Sequence, residues 1–365
     1  MLGIALAIPN LCDNKGSVVS TNYKKLGDYI TQRREKNTTI NLPICGLCRE
    51  GLIPPKQQDA DISLYNVFYK NDFIFNPARM ELNSITLNTE YDKAICSSLY
   101  EIFYINDTSK LLPEFLFVQL KTDNFVRFCE FQGQGSVREY CRFANISEYP
   151  VIVPDLKEQE KIVNTYNAIT KRIQLKQKIN ENLEKTAQTI YRKMFVEDAD
   201  EKWETVKLEK VIEVRYGKDH KNLEKGNIPV YGSGGIMRYA NKYLYDKESV
   251  MIPRKGSLNN IIYTDEPFWS VDTMFYTSMK KQNFAKYFYE FIRTKDFLNL
   301  DTGSAVPSMT TDYLNNIEIL NPDNTTLEKF ESKVSRLYIS KQNNYKEISK
   351  LQELKQLVIS RISGM

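Results

Sequence analysis

With 365 residues, 42% of them hydrophobic, the chain can bury the cores of two ordinary domains, and its 23 Tyr and 18 Phe exclude wholesale disorder. A net charge of +4 permits a polyanionic partner without demanding one. A single histidine, His220, removes most zinc sites and most histidine-dependent acid–base schemes.

Residues 1–20 form a lead-in of unknown role. Its apolar run, Gly3 to Pro9, is too short to span a bilayer and has no preceding cation to make a signal peptide. The chain therefore reads as cytoplasmic. All six cysteines fall before residue 142, and that compartment leaves them reduced. Residues 21–154 read as a mixed α/β domain, with β-rich runs at Phe73–Phe75 and Leu99–Ile105 and a helix from Pro113 to Cys129. Residues 155–198 form a long helix, with Ile162, Tyr166, Ile169, Ile173, Lys176, Asn180, Leu183, Ala187, Ile190 and Met194 at heptad spacing. A second mixed α/β domain, residues 199–322, has β-rich runs at Val250–Ile252, Ile261–Tyr263 and Met274–Tyr276 and a helix from Phe284 to Leu298. Residues 323–365 form the second long helix, with Phe330, Val334, Leu337, Lys341, Asn344, Ile348, Leu351, Lys355, Val358 and Ile362 along its seam.

The two halves are related. Leu26 matches Leu208 at an offset of 182, Pro43-Ile-Cys-Gly46 matches Pro229-Val-Tyr-Gly232 at 186, Phe103-Tyr104 matches Phe275-Tyr276 at 172, and Gly135-Ser136 and Pro154 match Gly303-Ser304 and Pro322 at 168. The offset drifts in a few steps and holds between them, as expected of two related domains with different loop lengths. Pro154-Asp155 and Pro322-Asp323 precede the helices, and Asp155-x-x-Glu158 and Thr325-x-x-Glu328 have capping-box spacing. Each helix runs about 38 residues, roughly 57 Å. Such a stripe needs a partner. Pairing within the chain predicts an antiparallel coiled coil, and pairing between two chains is the alternative. The fold class is thus mixed α+β: a pseudo-two-fold tandem repeat of two domains separated by an antiparallel pair of long coiled-coil helices.

Catalytic signatures are missing. There is no Asn/Asp-Pro-Pro-aromatic tetrapeptide to hold a flipped adenine, no phosphate-binding Gly-x4-Gly-Lys-Ser/Thr loop, and no Pro-Asp followed by Glu-x-Lys at nuclease spacing. Cys45-Gly-Leu-Cys48 is a lone CxxC whose repeat partner, Tyr231-Gly-Ser-Gly234, has no cysteine, so no metal or redox role is expected.

Binding chemistry is present. Residues 202–263 hold twelve Lys/Arg against seven Asp/Glu. DNA recognition needs cations for phosphates and donors or acceptors for base edges. The candidates are Arg79 and Asn83 in the first half and Ser233, Arg238, Arg254, Lys255, Ser257 and Asn259 in the second. The equivalent late loops add Ser136, Arg138 and Ser304.

These pieces resemble one family. Val153-Pro-Asp-Leu-Lys-Glu-Gln159-Glu-Lys-Ile162-Val163 is similar to the segment that opens the helices of type I restriction–modification specificity (S) subunits, and Leu183 to Tyr191 with Met194-Phe195 resembles the end of the same helix. Phe75-Asn-Pro77 and Gly135-Ser-Val-Arg138 resemble the first target-recognition domain. Tyr231-Gly-Ser-Gly-Gly235, Pro253-Arg-Lys-Gly256 and Pro267-Phe-Trp269 to Tyr276 resemble the second. The CxxC loop and the degenerate Asp323-Asn-Thr325 depart from the pattern. The resemblance implies that each domain reads one part of a bipartite DNA target, with half-sites on the order of one to two helical turns apart. It also implies docking of methyltransferase (M) and restriction (R) subunits. The chain itself would bind no cofactor, while S-adenosylmethionine, ATP and Mg2+ would belong to the partner subunits. Two alternatives stay open: an orphan S-like DNA-binding scaffold, or the recognition portion of a fused methyltransferase–nuclease.

Overall fold

The computed structural model describes residues 24–39, 41–48, 51–55, 61–133, 140–297 and 309–363. The lead-in, residues 1–20, lies outside them. The described residues fall into two units, divided after Leu175 and after Lys346.

The first unit contains strands β1 Lys24–Lys25, β2 Ile30–Arg33, β3 Ile44–Cys48, β4 Gly51–Ile53, β5 Asn66–Tyr69, β6 Phe73–Phe75, β7 Ile85–Leu87, β8 Lys93–Cys96 and β9 Glu101–Ile105. Helices α1 Pro113–Leu120, α2 Asp123–Gly133 and α3 Phe143–Ser147 follow, then β10 Pro150–Val151 and the start of α4 Leu156–Arg192. The single helix expected from Pro113 to Cys129 is two. The chain turns at Lys121-Thr122, where the Thr122 hydroxyl accepts the backbone N–H of Phe125 at 3.3 Å.

The second unit takes over within α4, which closes in a wider π-type turn at Lys193–Glu197. It continues with β11 Thr205–Lys207, α5 Leu208–Val211, β12 Ile212–Tyr216, β13 Lys225–Gly232, β14 Gly235–Ala240, β15 Ser249–Pro253, β16 Ile262–Thr264, β17 Trp269–Ser270 and β18 Met274–Met279. After these come α6 Ala285–Ile292, α7 Thr311–Asn316, β19 Glu318–Leu320 and α8 Asn324–Ser363. Helix α6 stops well short of the expected Leu298, which itself lies outside the described residues.

The repeat seen in the sequence is a repeat of topology. Each unit has a four-stranded antiparallel sheet, β2-β9-β6-β7 in the first and β12-β18-β15-β16 in the second. Each has a small mixed sheet in which a hairpin is extended by one parallel strand: β4-β3-β8 in the first, with β5 added, and β14-β13-β17 in the second. Each has a two-stranded ladder tying its entry to its exit, β1-β10 and β11-β19. The offset of 186 carries Ile44 and Cys45 onto Val230 and Tyr231, and these are the positions that form the parallel bridges in both units.

Alternation along single strands divides each unit into two cores. On β6, Phe73 and Phe75 enter the larger core while Ile74 enters the smaller. On β15, Val250 and Ile252 enter the larger core while Met251 enters the smaller. Helical segments complete the larger cores. In the first unit, Ile162, Val163 and Tyr166 of α4 join Ile359 and Ile362 of α8. In the second, Ala187 and Tyr191 of α4 join Leu327, Phe330, Val334 and Tyr338 of α8.

Within each unit, partners descend in number along α8 as they ascend along α4, so the packed segments are antiparallel. In the first unit Lys355 lies over the Tyr166 ring at 4.5 Å and Arg172 pairs with Glu347 at 2.6 Å. In the second, Lys176 Nζ donates to Asn344 Oδ1 at 2.8 Å, Asn344 Nδ2 donates to Asn180 Oδ1 at 2.7 Å, and Lys341 pairs with Glu184. The polar residues placed in the seam by spacing thus meet one another. Seam residues Ile162, Ile173 and Ile348 are buried, and Ile169, Leu183, Ile190, Leu337, Leu351 and Val358 are half-buried.

Both Pro-Asp pairs cap their helices, and only the Thr325-x-x-Glu328 box is corrected. Asp155 caps α4 as expected, its Oδ1 accepting the Glu158 N–H at 2.9 Å. At α8 the cap is Asp323 rather than Thr325: Asp323 Oδ1 accepts the Thr326 N–H at 2.9 Å and Oδ2 accepts the Thr326 hydroxyl at 2.8 Å. A carboxylate at the N-cap accepts from both donors at once, whereas Thr325, two residues on, already lies inside the helix.

Candidate nucleic-acid interface

Two loops of the second unit meet at the ends of β13 and β15, beside Tyr216 at the end of β12. The β13–β14 hairpin turns over two residues, Ser233 and Gly234, with Gly232 opposite Gly235. The chain leaving β15 runs through Arg254, Lys255, Gly256 and Ser257. Asn260 Nδ2 donates to the Ser233 carbonyl at 2.8 Å, locking the second loop to the hairpin turn. Gly256 has φ +84°, a backbone conformation that favours glycine, and a Cβ there would stand 2.8 Å from Ser233 Oγ, which would have to rotate away.

Arg254 is aimed by its surroundings. Its backbone N–H donates to Thr273 O at 2.8 Å, and its carbonyl accepts from Met309 N at 2.9 Å. The guanidinium lies 4.8 Å from the Tyr216 ring centroid and 5.2 Å from that of Phe275, with Nη1 donating to Asp272 O at 2.8 Å. Lys255 and Ser257 are exposed beside it, and Ser233 is half-buried. This cluster of cation, hydroxyl and open backbone can neutralise a phosphate and offer donors to it.

Other candidates serve the fold. Arg238 is spent on the 217–224 loop: Nε donates to His220 Nδ1 at 3.2 Å, Nη1 to Leu223 O at 3.2 Å, and Nη2 to His220 O. Asn259 is exposed, but its Oδ1 accepts the Phe297 N–H at 3.2 Å. In the first unit, Asn83 is buried in the left-handed conformation at φ 52°, ends the short helical turn Pro77–Leu82, and donates Nδ2 to Leu120 O at 2.9 Å. Arg79, on the same turn, is exposed. Ser136, Arg138 and Ser304 lie outside the described residues.

Sequence reasoning missed Tyr216, the aromatic platform under Arg254, because a strand-terminal tyrosine gives no sign of what stacks on it. It also missed Asn260, and the exposed apolar residues Ile236 and Met237 on β14. Cys45 is buried on β3 beside Cys96 across the parallel pair, and burial pushes both thiols up, away from a reactive thiolate. Among the described residues no group of three or more His, Cys, Asp or Glu could hold a metal ion, and no helix is long and apolar enough to cross a membrane.

Two α/β units on one framework, differing in the loops that carry free cations, define a tandem recognition protein. The sequence matches the type I restriction modification DNA specificity domain over residues 56–185 and again over 200–356, and the chain belongs to that family. It is 22% identical over 296 residues to the MjaIX specificity subunit of Methanocaldococcus jannaschii, covering 69% of this chain and 68% of that one. It is 24% identical over 113 residues to the HindI specificity subunit of Haemophilus influenzae, covering 30% of this chain and 24% of that one. The S subunit of a type I restriction–modification system from M. genitalium shares the fold, with a TM-score of 0.61, 16% identity, and coverage of 94% of this chain and 96% of that one.

Proposed function

We propose that the chain is the specificity subunit of a type I restriction–modification system and does no chemistry itself. Each unit reads one half of a bipartite duplex target. The carrying observation is that the DNA specificity domain matches twice, once on each topological repeat. In the second unit Arg254, Lys255, Ser257 and Ser233 form the contact surface, with cations positioning the domain on phosphates and neighbouring side chains reading bases. Arg79 is the first unit's exposed candidate. The complex works in the cytoplasm. Methyltransferase subunits dock on the chain and modify flipped adenines with S-adenosylmethionine, and restriction subunits supply the ATP- and Mg2+-dependent activity.

Genome-wide adenine methylation mapping, with the gene present and deleted, tests this reading. Loss of one bipartite methylated motif on deletion is the expected result and supplies the target sequence. An unchanged methylation pattern, in cells that express the chain together with a methyltransferase subunit, refutes it.

A further inference from the structure

The β13–β14 hairpin carries a feature that phosphate binding does not use. Tyr231 stands opposite Ile236 and Val230 opposite Arg238, so Met237 is an extra residue in β14, a β-bulge. In a regular strand Ile236 and Met237 would point to opposite faces. The bulge breaks that alternation, and both are exposed, Ile236 at 49% and Met237 at 58%. Tyr239 on the same strand is 45% exposed.

β14 is the outer strand of its sheet. An edge strand with consecutive exposed apolar side chains is normally blunted by charge, unless it is used for binding. The hairpin turn itself is open, since a Cβ at Gly234 or Gly235 would meet nothing within 4 Å. The surrounding charge selects the partner. Lys255 is exposed on the loop tied to the hairpin turn, Lys225 and Lys242 are exposed at the hairpin's open end, and residues 202–263 carry twelve Lys/Arg against seven Asp/Glu. A polyanion suits that field.

A two-stranded ribbon fits the major groove, whose one apolar group is the 5-methyl of thymine. We propose that the β13–β14 hairpin enters the major groove of the target and that Ile236 and Met237 pack on thymine methyl groups. This rests on the reading of the second unit as a DNA-binding domain. The first unit's corresponding hairpin has no such pair. Every described residue of β3 and β4 is buried or half-buried. The thymine-methyl contacts of the β13–β14 hairpin therefore fall in one half of the bipartite target.

The test replaces each thymine of the mapped motif in turn by deoxyuridine, which removes only the 5-methyl group. Affinity is measured with the full chain in its methyltransferase complex. One or two positions, all in one half-site, should weaken binding by about fourfold per methyl. Ile236→Ser and Met237→Ser, assayed separately and checked by thermal melting, should each bind thymine and deoxyuridine targets equally at the position that its own side chain contacts. The proposal is overturned if wild type is indifferent to deoxyuridine at every thymine of both strands. It is also overturned if the dependence at any one position survives in both variants. A rise in 2-aminopurine fluorescence at a deoxyuridine-insensitive step would replace it with insertion between base pairs. Wild-type failure to prefer the mapped motif over unrelated DNA would instead refute the DNA-binding reading itself.

Discussion

Replacing Lys286 by methionine should destabilise the second unit by about 3 kcal/mol. Lys286 is 6% exposed on α6, and its Nζ pairs with Glu248 at 2.7 Å and Glu331 at 2.6 Å. The ammonium also lies 5.3 Å from the Tyr263 ring and 5.8 Å from the Tyr338 ring. Burial by itself lowers its affinity for a proton, and the two carboxylates more than reverse this, holding it above its usual value. Methionine keeps the volume and removes the charge, leaving two like-charged groups facing each other. Breaking a buried pair costs about 3–5 kcal/mol, and the lower end applies because Glu248 and Glu331 are partly exposed and rehydrate. For a unit of this size that lowers the melting temperature by roughly 6–12 °C.

Differential scanning calorimetry of the full chain measures this, with a triple variant, Lys286→Met/Glu248→Gln/Glu331→Gln, as the control. The triple variant removes the whole charge set and should recover most of the loss, because neutral packing replaces a buried ion pair at little cost. A single variant that melts with wild type, or a triple variant no better than the single, would refute the argument.

Lys255→Gln should flatten the salt dependence of DNA binding by roughly one unit of slope while leaving the melting temperature unchanged. Arg238→Ala should lower the melting temperature instead, since its three hydrogen bonds hold the 217–224 loop. Asn344→Leu strands Asn180 Oδ1 and should cost about 1–3 kcal/mol in urea unfolding, whereas Asn180→Leu/Asn344→Leu should regain it. Burial pushes the Glu290 carboxyl above its usual value of 4.5, outweighing the 2.6 Å hydrogen bond from Tyr338 and the nearby Arg293. The folded chain then holds more protons than the unfolded one as pH rises past 4.5, so this group's contribution to stability falls across that window. Glu290→Gln should remove that part of the fall in urea midpoints measured between pH 4 and 8, and an unchanged profile would refute it.

What was legible in the sequence is what burial enforces. Heptad spacing located both long helices because each must hide a stripe. The runs at Phe73–Phe75 and Met274–Tyr276 announced strands because both faces of each are covered. The repeat was legible because Leu26 and Leu208, both fully buried, do the same job in each unit. Hydrogen-bond choices were legible only in part. The repeated Pro-Asp pairs marked Asp155 and Asp323 as caps, but the Thr325-x-x-Glu328 spacing suggested a box that does not form. Nothing marked Arg238 as a brace for the 217–224 loop and Arg254 as stacked on Tyr216 and Phe275, because both are arginines beside glycine-rich turns, and the difference lies in groups supplied by distant chain.

The same division explains where the two units differ. Their four-stranded sheets keep one order, since a change of order would turn the alternating faces of β6 or β15 out of two cores at once. The small sheets are free to change at their edges. The outer strand is three residues long in β4 and six in β14, and the four-residue β5 of the first unit is reduced in the second to a single bridge between Tyr245 and Phe268. Edge strands and the loops beyond them contribute least to the cores, so altering them costs least stability. They are also the parts that present side chains outward. A framework of this kind lets each unit acquire its own recognition surface without renegotiating its fold, and the exposed bulge at Met237, with no counterpart in β3 or β4, is one such independent acquisition.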